Sequence, residues 1–215
     1  MTHLQAEETG FFFTYVLPYS ASRALVEVTA VSCPKQGRQA SREELRAHLD
    51  DRLGKDRYRI ERFEAGRLPM GLPTLPAKAA ANLWRAGTQG GALRMSSGYA
   101  FLRIQRWAER EAGRLKAGLP PQGHPRPSFV EKYLDPLFLQ VLRHQPELAP
   151  EIFMKLGNQM SADRFVRFMI DEPQVADLAQ LIAVLPKVPF MKQLARGFLR
   201  HPAGHASSSV SSRHG

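Results

Sequence analysis

A single cysteine, Cys33, occurs in the 215 residues. It excludes an internal disulfide framework and a cysteine-rich metal site, and it fits a reducing compartment. No run approaches the roughly 18 consecutive apolar residues of a membrane-spanning helix. The opening MTHLQAEETG has neither a basic n-region nor an apolar h-region and does not read as a signal peptide. No G-x-G-x-x-G occurs, so the chain lacks the first phosphate turn of a dinucleotide fold. Acids are in short supply: 20 Asp+Glu face 30 Lys+Arg, a net charge of +10. Such an excess suits an anionic partner, whether nucleic acid, an acidic membrane surface or a phosphorylated cofactor. The 43% apolar content is ordinary for a chain that buries a core.

What is present is a glycine cluster in mid-chain. Residues 83–101 read LWRAGTQGGALRMSSGYAF, with Gly87, Gly90 and Gly91 close together and Gly98 following Ser96 and Ser97. Phe101, Ile104, Ala108, Ala112 and Leu115 recur at helical spacing, which predicts a helix beginning near Ser96. The serines stand where an N-cap belongs. Glycines let a backbone approach a ligand, and a helix N-terminus offers N–H groups to an anion. The stretch is a candidate dinucleotide-facing loop, but spacing alone is a weak signal and more often marks an ordinary glycine-rich loop with a helix cap.

The chain before the cluster reads as strand-rich. Residues 11–17 (FFFTYVL) suit a strand, and Pro18 to Ser22 a turn. Residues 23–32 (RALVEVTAVS) predict a second strand with two largely apolar faces, covered on both sides. Within it Glu27 is the exception. A carboxylate among apolar neighbours is a candidate acid or base, or else a strand glutamate in water or paired with arginine. Ser41-Arg-Glu-Glu44 is a capping-box pattern opening a helix to about Leu53. Alternation over 58–68 predicts a third strand, and 69–81 a loop. The helix from Ser96 runs to about Ala117 and carries Arg103, Arg106, Arg110 and Arg114 on a solvated face.

The proline-rich stretch 118–128 reads as a linker. Beyond it helices are expected near 128–144, 149–157, 161–171 and 174–185, broken by Pro146, Gly157, Pro173 and Pro186, with a last one at about 189–200. In that last segment Lys192, Arg196 and Arg200 share a face. Phe190, Leu194 and Phe198 form one apolar row, and Met191, Ala195 and Leu199 another, with Lys187 just upstream. The pattern suits either the interface of an anionic bilayer or a surface helix packed on a core. The tail from His201 (HPAGHASSSVSSRHG) reads as disordered rather than metal-binding. The expected division is therefore 1–82 for a β-rich region with one helix, 83–117 for the loop and helix, 118–200 for a helical region, and 201–215 for the tail.

Several of these stretches, in order, resemble bacterial lycopene cyclases. They are FTYVLPYSASRALVEVTAVS (13–32), GRLPM (66–70), RAGTQGGALRMSSGYAF (85–101), SFVEKYLDPLFLQVL (128–142), PEIFMKLG (150–157), RFVRFMID (164–171) and LPKVPF (185–190). The resemblance implies an α+β chain, the C-terminal portion of a glutathione-reductase/hydroxylase-like FAD/NAD(P)-binding fold, with a short antiparallel sheet before a helical region. It implies closure of β-ionone-type rings on a linear carotene by acid/base isomerisation, using reduced FAD with NAD(P)H as electron source. It assigns catalysis to Glu27, with Val28 where the family often has a second acid. It assigns flavin binding to Gly87, Thr88, Gly90, Gly91, Ser96, Ser97, Gly98 and Tyr99, with Ser97 where the family has threonine. No metal and no nucleic acid are expected. A cytoplasmic protein peripheral to the inner membrane is expected, with a separate or missing N-terminal FAD-binding half. Two other readings stay open. One is another FAD-dependent enzyme of the geranylgeranyl reductase or monooxygenase type. The other is a basic helical module for membrane or nucleic acid, resting on the charge and the arginine face.

Overall fold

The computed structural model describes residues 2–8, 10–32, 41–70 and 75–200. Cys33 and the tail 201–215 lie outside the described residues. The architecture is α+β: an antiparallel three-stranded sheet, a short two-stranded ribbon and a helical region. The sheet orders β1 (Thr2–Glu7), β2 (Gly10–Pro18) and β3 (Ala24–Ser32), with β2 central. The first of these has no strong strand signature in its composition and is recruited by the exposed edge of the aromatic β2.

Register decides which side chains meet. Phe11 stands opposite Val31, Phe13 opposite Thr29, Tyr15 opposite Glu27 and Leu17 opposite Leu25. Because side chains alternate, these eight share one face, and Phe12, Thr14, Val26 and Val28 lie on the other. The first face packs on helices only at its Phe11 end. There Phe11, Val141, Leu142, Ala149, Ile152, Leu156, Met160 and Leu181 form the buried cluster, flanked by Leu4, Ala6, Phe13, Val31 and Phe190.

Helix α1 (Arg42–Leu53) starts at the expected capping box, with Glu44 N–H donating to Ser41 Oγ (3.1 Å) and Ser41 N–H to Glu44 Oε2 (2.9 Å). The strand expected at 58–68 is not formed. Alternation supplies a face but not a partner, and no ladder reaches this segment. Side chains hold it instead: Tyr58 donates to Asp50 (2.8 Å), Arg23 to Glu61 (2.7 Å), and Arg42 lies over the Phe63 ring. Within the stretch read as loop, Lys78–Ala80 (β4) pairs with Leu83–Trp84 (β5).

Helix α2 is Phe101–Lys116. A wide π-turn, Val130–Leu134, leads directly into α3 (Asp135–His144). Pro136 explains it, since a proline with no N–H breaks the regular ladder of the preceding turn. Helix α4 (Ala149–Gln159) runs through Gly157, where a break was expected; a side chain there would meet open space, so no turn needs the glycine. Helices α5 (Ala162–Met169), α6 (Val175–Val184) and α7 (Lys187–Arg200) follow, with α7 packed on α3.

The α5–α6 corner depends on a carboxylate. Asp177, 1% exposed, accepts a two-pronged pair of bonds from Arg167 (2.7 and 2.8 Å) and one from Gln174 N–H (3.0 Å). The Arg167 bonds outweigh burial and, with Gln174 N–H and Arg164, hold its carboxyl at about 2 rather than 3.8. A folded value below the unfolded one gives stability that is present above the unfolded value and lost as pH falls through the folded one. Asp177→Asn should therefore lower the melting temperature at neutral pH. The gap to the parent should close on acidification from 3.8 toward about 2 in melts followed by circular dichroism.

Candidate functional site

Glu27 sits at mid-strand in β3 and is exposed, not covered on both sides as its sequence context predicts. On the face that carries Glu27 the helices pack at the Phe11 end, so the outer half of that face is open. Two hydroxyls hold the carboxylate. Tyr15, directly opposite, donates a very short bond to Oε2, and Thr29, two residues along the same face, donates to Oε1 at 2.9 Å. A row of aromatic rings leads from this pair into the core. Tyr15 stacks near Phe13 (6.4 Å between centroids), Phe13 near Phe11 (6.3 Å), and Phe11 meets Phe153 (5.4 Å). Phe12 points to the other face and lines a cleft of about 140 Å³ with Gln5, Thr14, Val28, Glu44 and His48. Glu27 does not line that cleft.

The glycine cluster forms a 3-10 turn, Gly87–Gly90, closed by Gly91 in the left-handed region (φ 96°). Gly90 N–H donates to Ala86 O (3.1 Å) and Ala92 N–H to Gly87 O (3.1 Å). At Gly90 an added Cβ would lie 2.5 Å from the Arg85 carbonyl oxygen. That glycine is required by the loop's own backbone. Gly87 (φ 59°) is different: the space beside it is open apart from Ile104 at 3.9 Å. Ser96 and Ser97 do not cap the helix. A second tight turn intervenes, in which Gly98 N–H donates to Arg94 O (2.8 Å) and Arg94 N–H to Tyr99 O (2.9 Å), and Gly98 has φ 70°. Ser97 Oγ accepts from Tyr99 N–H (3.3 Å), and α2 begins at Phe101 with Ala100 as a cap lacking any side-chain bond.

The residue that fixes this loop is Arg94, to which the sequence reading gave no role. It is 1% exposed and forms a two-pronged pair with Asp135 of α3 (Nε 3.2 Å, Nη2 3.3 Å), itself 2% exposed. Nη1 donates to the Phe168 carbonyl and pairs with Asp171 (3.2 Å), while the guanidinium lies 4.1 Å from the Phe168 ring centre. Asp171 takes the left-handed conformation (φ 64°) at the end of α5 and also meets Arg103 of α2 (3.4 Å). Burial pushes the Asp171 carboxyl up against the pull of Arg103 and Arg94. Burial likewise raises Glu131, but the Ser128 N–H and Arg103 (2.6 Å) prevail and hold it low. An arginine between two glycine turns was the available signal, since a buried charge must be paired.

The arginine face of α2 is not a free basic face. Arg106 meets Glu172 (2.6 Å) and the Ile170 carbonyl; Arg110 donates to Gly123 O and Arg114 to Pro120 O. Residues 118–128 are thus a strap folded on α2 rather than a free linker. Buried Glu111 accepts Gln122 N–H (2.7 Å) and Arg110 Nε (3.0 Å), Trp107 donates to Gln122 O (3.0 Å), and His124 stacks on Trp107 (5.0 Å). Burial, aided by Arg103 and Arg110, pushes the His124 imidazole down.

The sequence-assigned residues therefore fall into two groups. Glu27 bonds within its own sheet, and the glycine loop bonds within itself and, through Arg94, to α3 and the end of α5. Among the described residues no group of His, Cys, Asp and Glu could hold a metal ion. No described helix is long and apolar enough to cross a membrane.

These features define an α+β protein whose small sheet carries a clamped, outward-facing carboxylate and whose glycine loop is anchored to a helical region. The chain matches the family described as Lycopene cyclase protein over residues 2–195, and it belongs to that family. At the level of the family it is a carotenoid cyclase. No match was found among curated proteins or solved structures.

Arg94→Met should leave Asp135 buried without its partner. A loss of about 3–5 kcal/mol of unfolding free energy is expected in urea titrations, the usual effect of breaking a buried pair from one side.

Proposed function

We propose that the protein is a FAD-dependent lycopene cyclase that forms β-ionone-type end rings by non-redox isomerisation, and that this chain supplies its C-terminal part. What carries the reading is Glu27, in a chain of this family, clamped at the open end of an aromatic row. Ring closure passes through a carbocation, which needs negative charge nearby and gains from a low-dielectric, apolar setting. The Glu27 carboxylate supplies the charge. The faces of Phe13 and Tyr15 supply cation–π attraction on the same side of the sheet.

The glycine loop fits an anionic cofactor in part. Open space beside Gly87, the left-handed turn at Gly91 and the absence of a side-chain cap at Ala100 suit a phosphate-bearing group before α2. Gly87, Thr88, Gly91 and the Ser96–Tyr99 turn would hold it, while Gly90 shapes the loop. When bound in its reduced form, with NAD(P)H as electron source, FAD supplies negative charge. The G-x-G-x-x-G turn that grips its pyrophosphate comes, on this reading, from sequence other than these 215 residues.

A linear carotene is insoluble in water and reaches such an enzyme from lipid. The reading therefore places the protein on the cytoplasmic side of the inner membrane as a peripheral protein. Helix α7 supports this in altered form. Phe190 of the expected apolar row joins the core instead. Lys187 caps α6, donating to the carbonyls of Ile182 (2.8 Å) and Leu185 (3.0 Å). What faces outward is Val188, Met191 and Leu194 (64%, 62% and 42% exposed) beside exposed Lys192 and Arg196. An apolar strip edged by cations suits an anionic bilayer, each cation contributing about 1 kcal/mol near the surface.

In the full-length enzyme Glu27→Gln should lower the rate of cyclised carotene formation by about 10²–10⁴, the range expected on loss of a general acid or base. Activity within a few-fold of the parent would refute the assignment. For the membrane surface, Lys192→Glu with Arg196→Glu should abolish flotation with anionic vesicles and leave the weak binding to neutral ones unchanged. Equal recovery of both proteins with anionic vesicles would exclude α7.

A further inference from the structure

We infer that Tyr15 and Thr29 are positioning residues that fix Glu27 in one orientation above the open sheet face and thereby set where the ring double bond forms. The inference rests on the cyclase reading above. An exposed glutamate turns freely about its side-chain bonds and loses entropy when ordered. Here each carboxylate oxygen accepts one hydroxyl, Tyr15 on Oε2 and Thr29 on Oε1. Two donors on two oxygens fix both the position of the group and the rotation of its plane. The donors are themselves held. The Tyr15 ring stacks near Phe13, and Phe13 near Phe11, which is 3% exposed and packed on Phe153. Rigidity thus runs from the core to the carboxylate along one face.

The surroundings of the carboxylate are uneven. Inward along the face lie Phe13 and Thr29. Outward lies the Leu17–Leu25 pair, 49% and 40% exposed. Same-face neighbours along a strand are about 7 Å apart. A hydrocarbon end group resting on Leu17 and Leu25 would therefore have its nearest carbons within reach of Glu27.

Ring closure leaves a tertiary cation flanked by a ring methine, a ring methylene and a methyl group. In the last step one flanking C–H bond breaks. Its electron pair becomes the new double bond, and its proton passes to a Glu27 oxygen. The neutral carboxyl returns that proton to water, to which it is open. Loss from the methine gives a β ring, from the methylene an ε ring and from the methyl a γ ring. A carboxylate held on both oxygens meets one of these in preference, so product identity becomes a matter of geometry. Burial, the bond to Glu27 and the nearby Glu27 and Tyr19 push the Tyr15 phenol up to about 12, so it keeps its proton and remains a donor.

The test has two arms. The first uses cells that make lycopene and express the full-length enzyme, with rings separated by chromatography. Tyr15→Phe and Thr29→Val should each lower the rate about 10- to 100-fold, the effect of a small misplacement, and should mix ring isomers that the parent keeps apart. Thr29→Ser, which retains a hydroxyl, should restore the parental ratio. The second arm needs no turnover. The tyrosinate absorbance of the chain, taken as a difference between parent and Tyr15→Phe, reports Tyr15 alone. In Glu27→Gln its titration should move down from about 12 toward the ordinary 10.0. If Glu27→Gln keeps the parental rate, the cyclase reading fails and the inference with it. If Glu27→Gln is inactive but Tyr15→Phe keeps the parental isomer ratio, the reading stands and the clamp is wrong. An unmoved Tyr15 titration also overturns the clamp.

Discussion

The Arg94 guanidinium is the constraint on which the rest of this structure depends. A fully buried arginine is tolerable only if its donors are met, and here they are met by groups far apart in sequence: Asp135, Asp171 and the Phe168 carbonyl. Meeting them fixes the glycine loop against the start of α3 and the end of α5 at once. It also accounts for Asp171, which holds a left-handed backbone that a non-glycine residue seldom takes. Arg94 and Arg103 converge on its carboxylate, and the geometry that lets it face both is kept by those contacts.

The same logic runs along α2. Its arginines turn toward the strap, toward Glu131 and toward the turn after α5, so much of the positive charge in this part of the chain is structural. The reading of a basic helical module for membrane or nucleic acid rests on the net charge and on this arginine face, and the face is engaged within the chain. The exposed cations of α7 are a different case, because they border apolar side chains that stand exposed among the described residues.

The helices cover the inner face of the sheet only in part. Its inner face is buried where Phe11 meets α4 and open where Glu27 stands. The aromatic row joins the two ends, so the carboxylate is both accessible and stiffly mounted. On the proposed cyclase reading, those two properties suit a group that meets a bulky hydrocarbon and takes a proton from one chosen carbon.

Local signals were sufficient for much of this. The Ser41–Glu44 capping box, the aromatic run 11–17 and the apolar spacing after residue 128 each specify an element through short-range chemistry, and each element is there. The motifs that resemble lycopene cyclases also lie in continuous stretches, so the family was legible without a fold. What tertiary structure alone decided involves partners distant in sequence. The 58–68 segment alternates like a strand but finds no backbone to pair with. Ser96 and Ser97 look like caps, yet Arg94 and Gly98 demand a turn that moves the helix start to Phe101. The apolar flanks of Glu27 suggest burial, but burial requires a second layer, and the helices stop short of it. Pairing Tyr15 with Glu27 depends on a register set across a hairpin, and pairing Arg94 with Asp135 spans 41 residues. A sequence displays its local preferences, whereas charge satisfaction and layer coverage are settled only when the chain closes on itself.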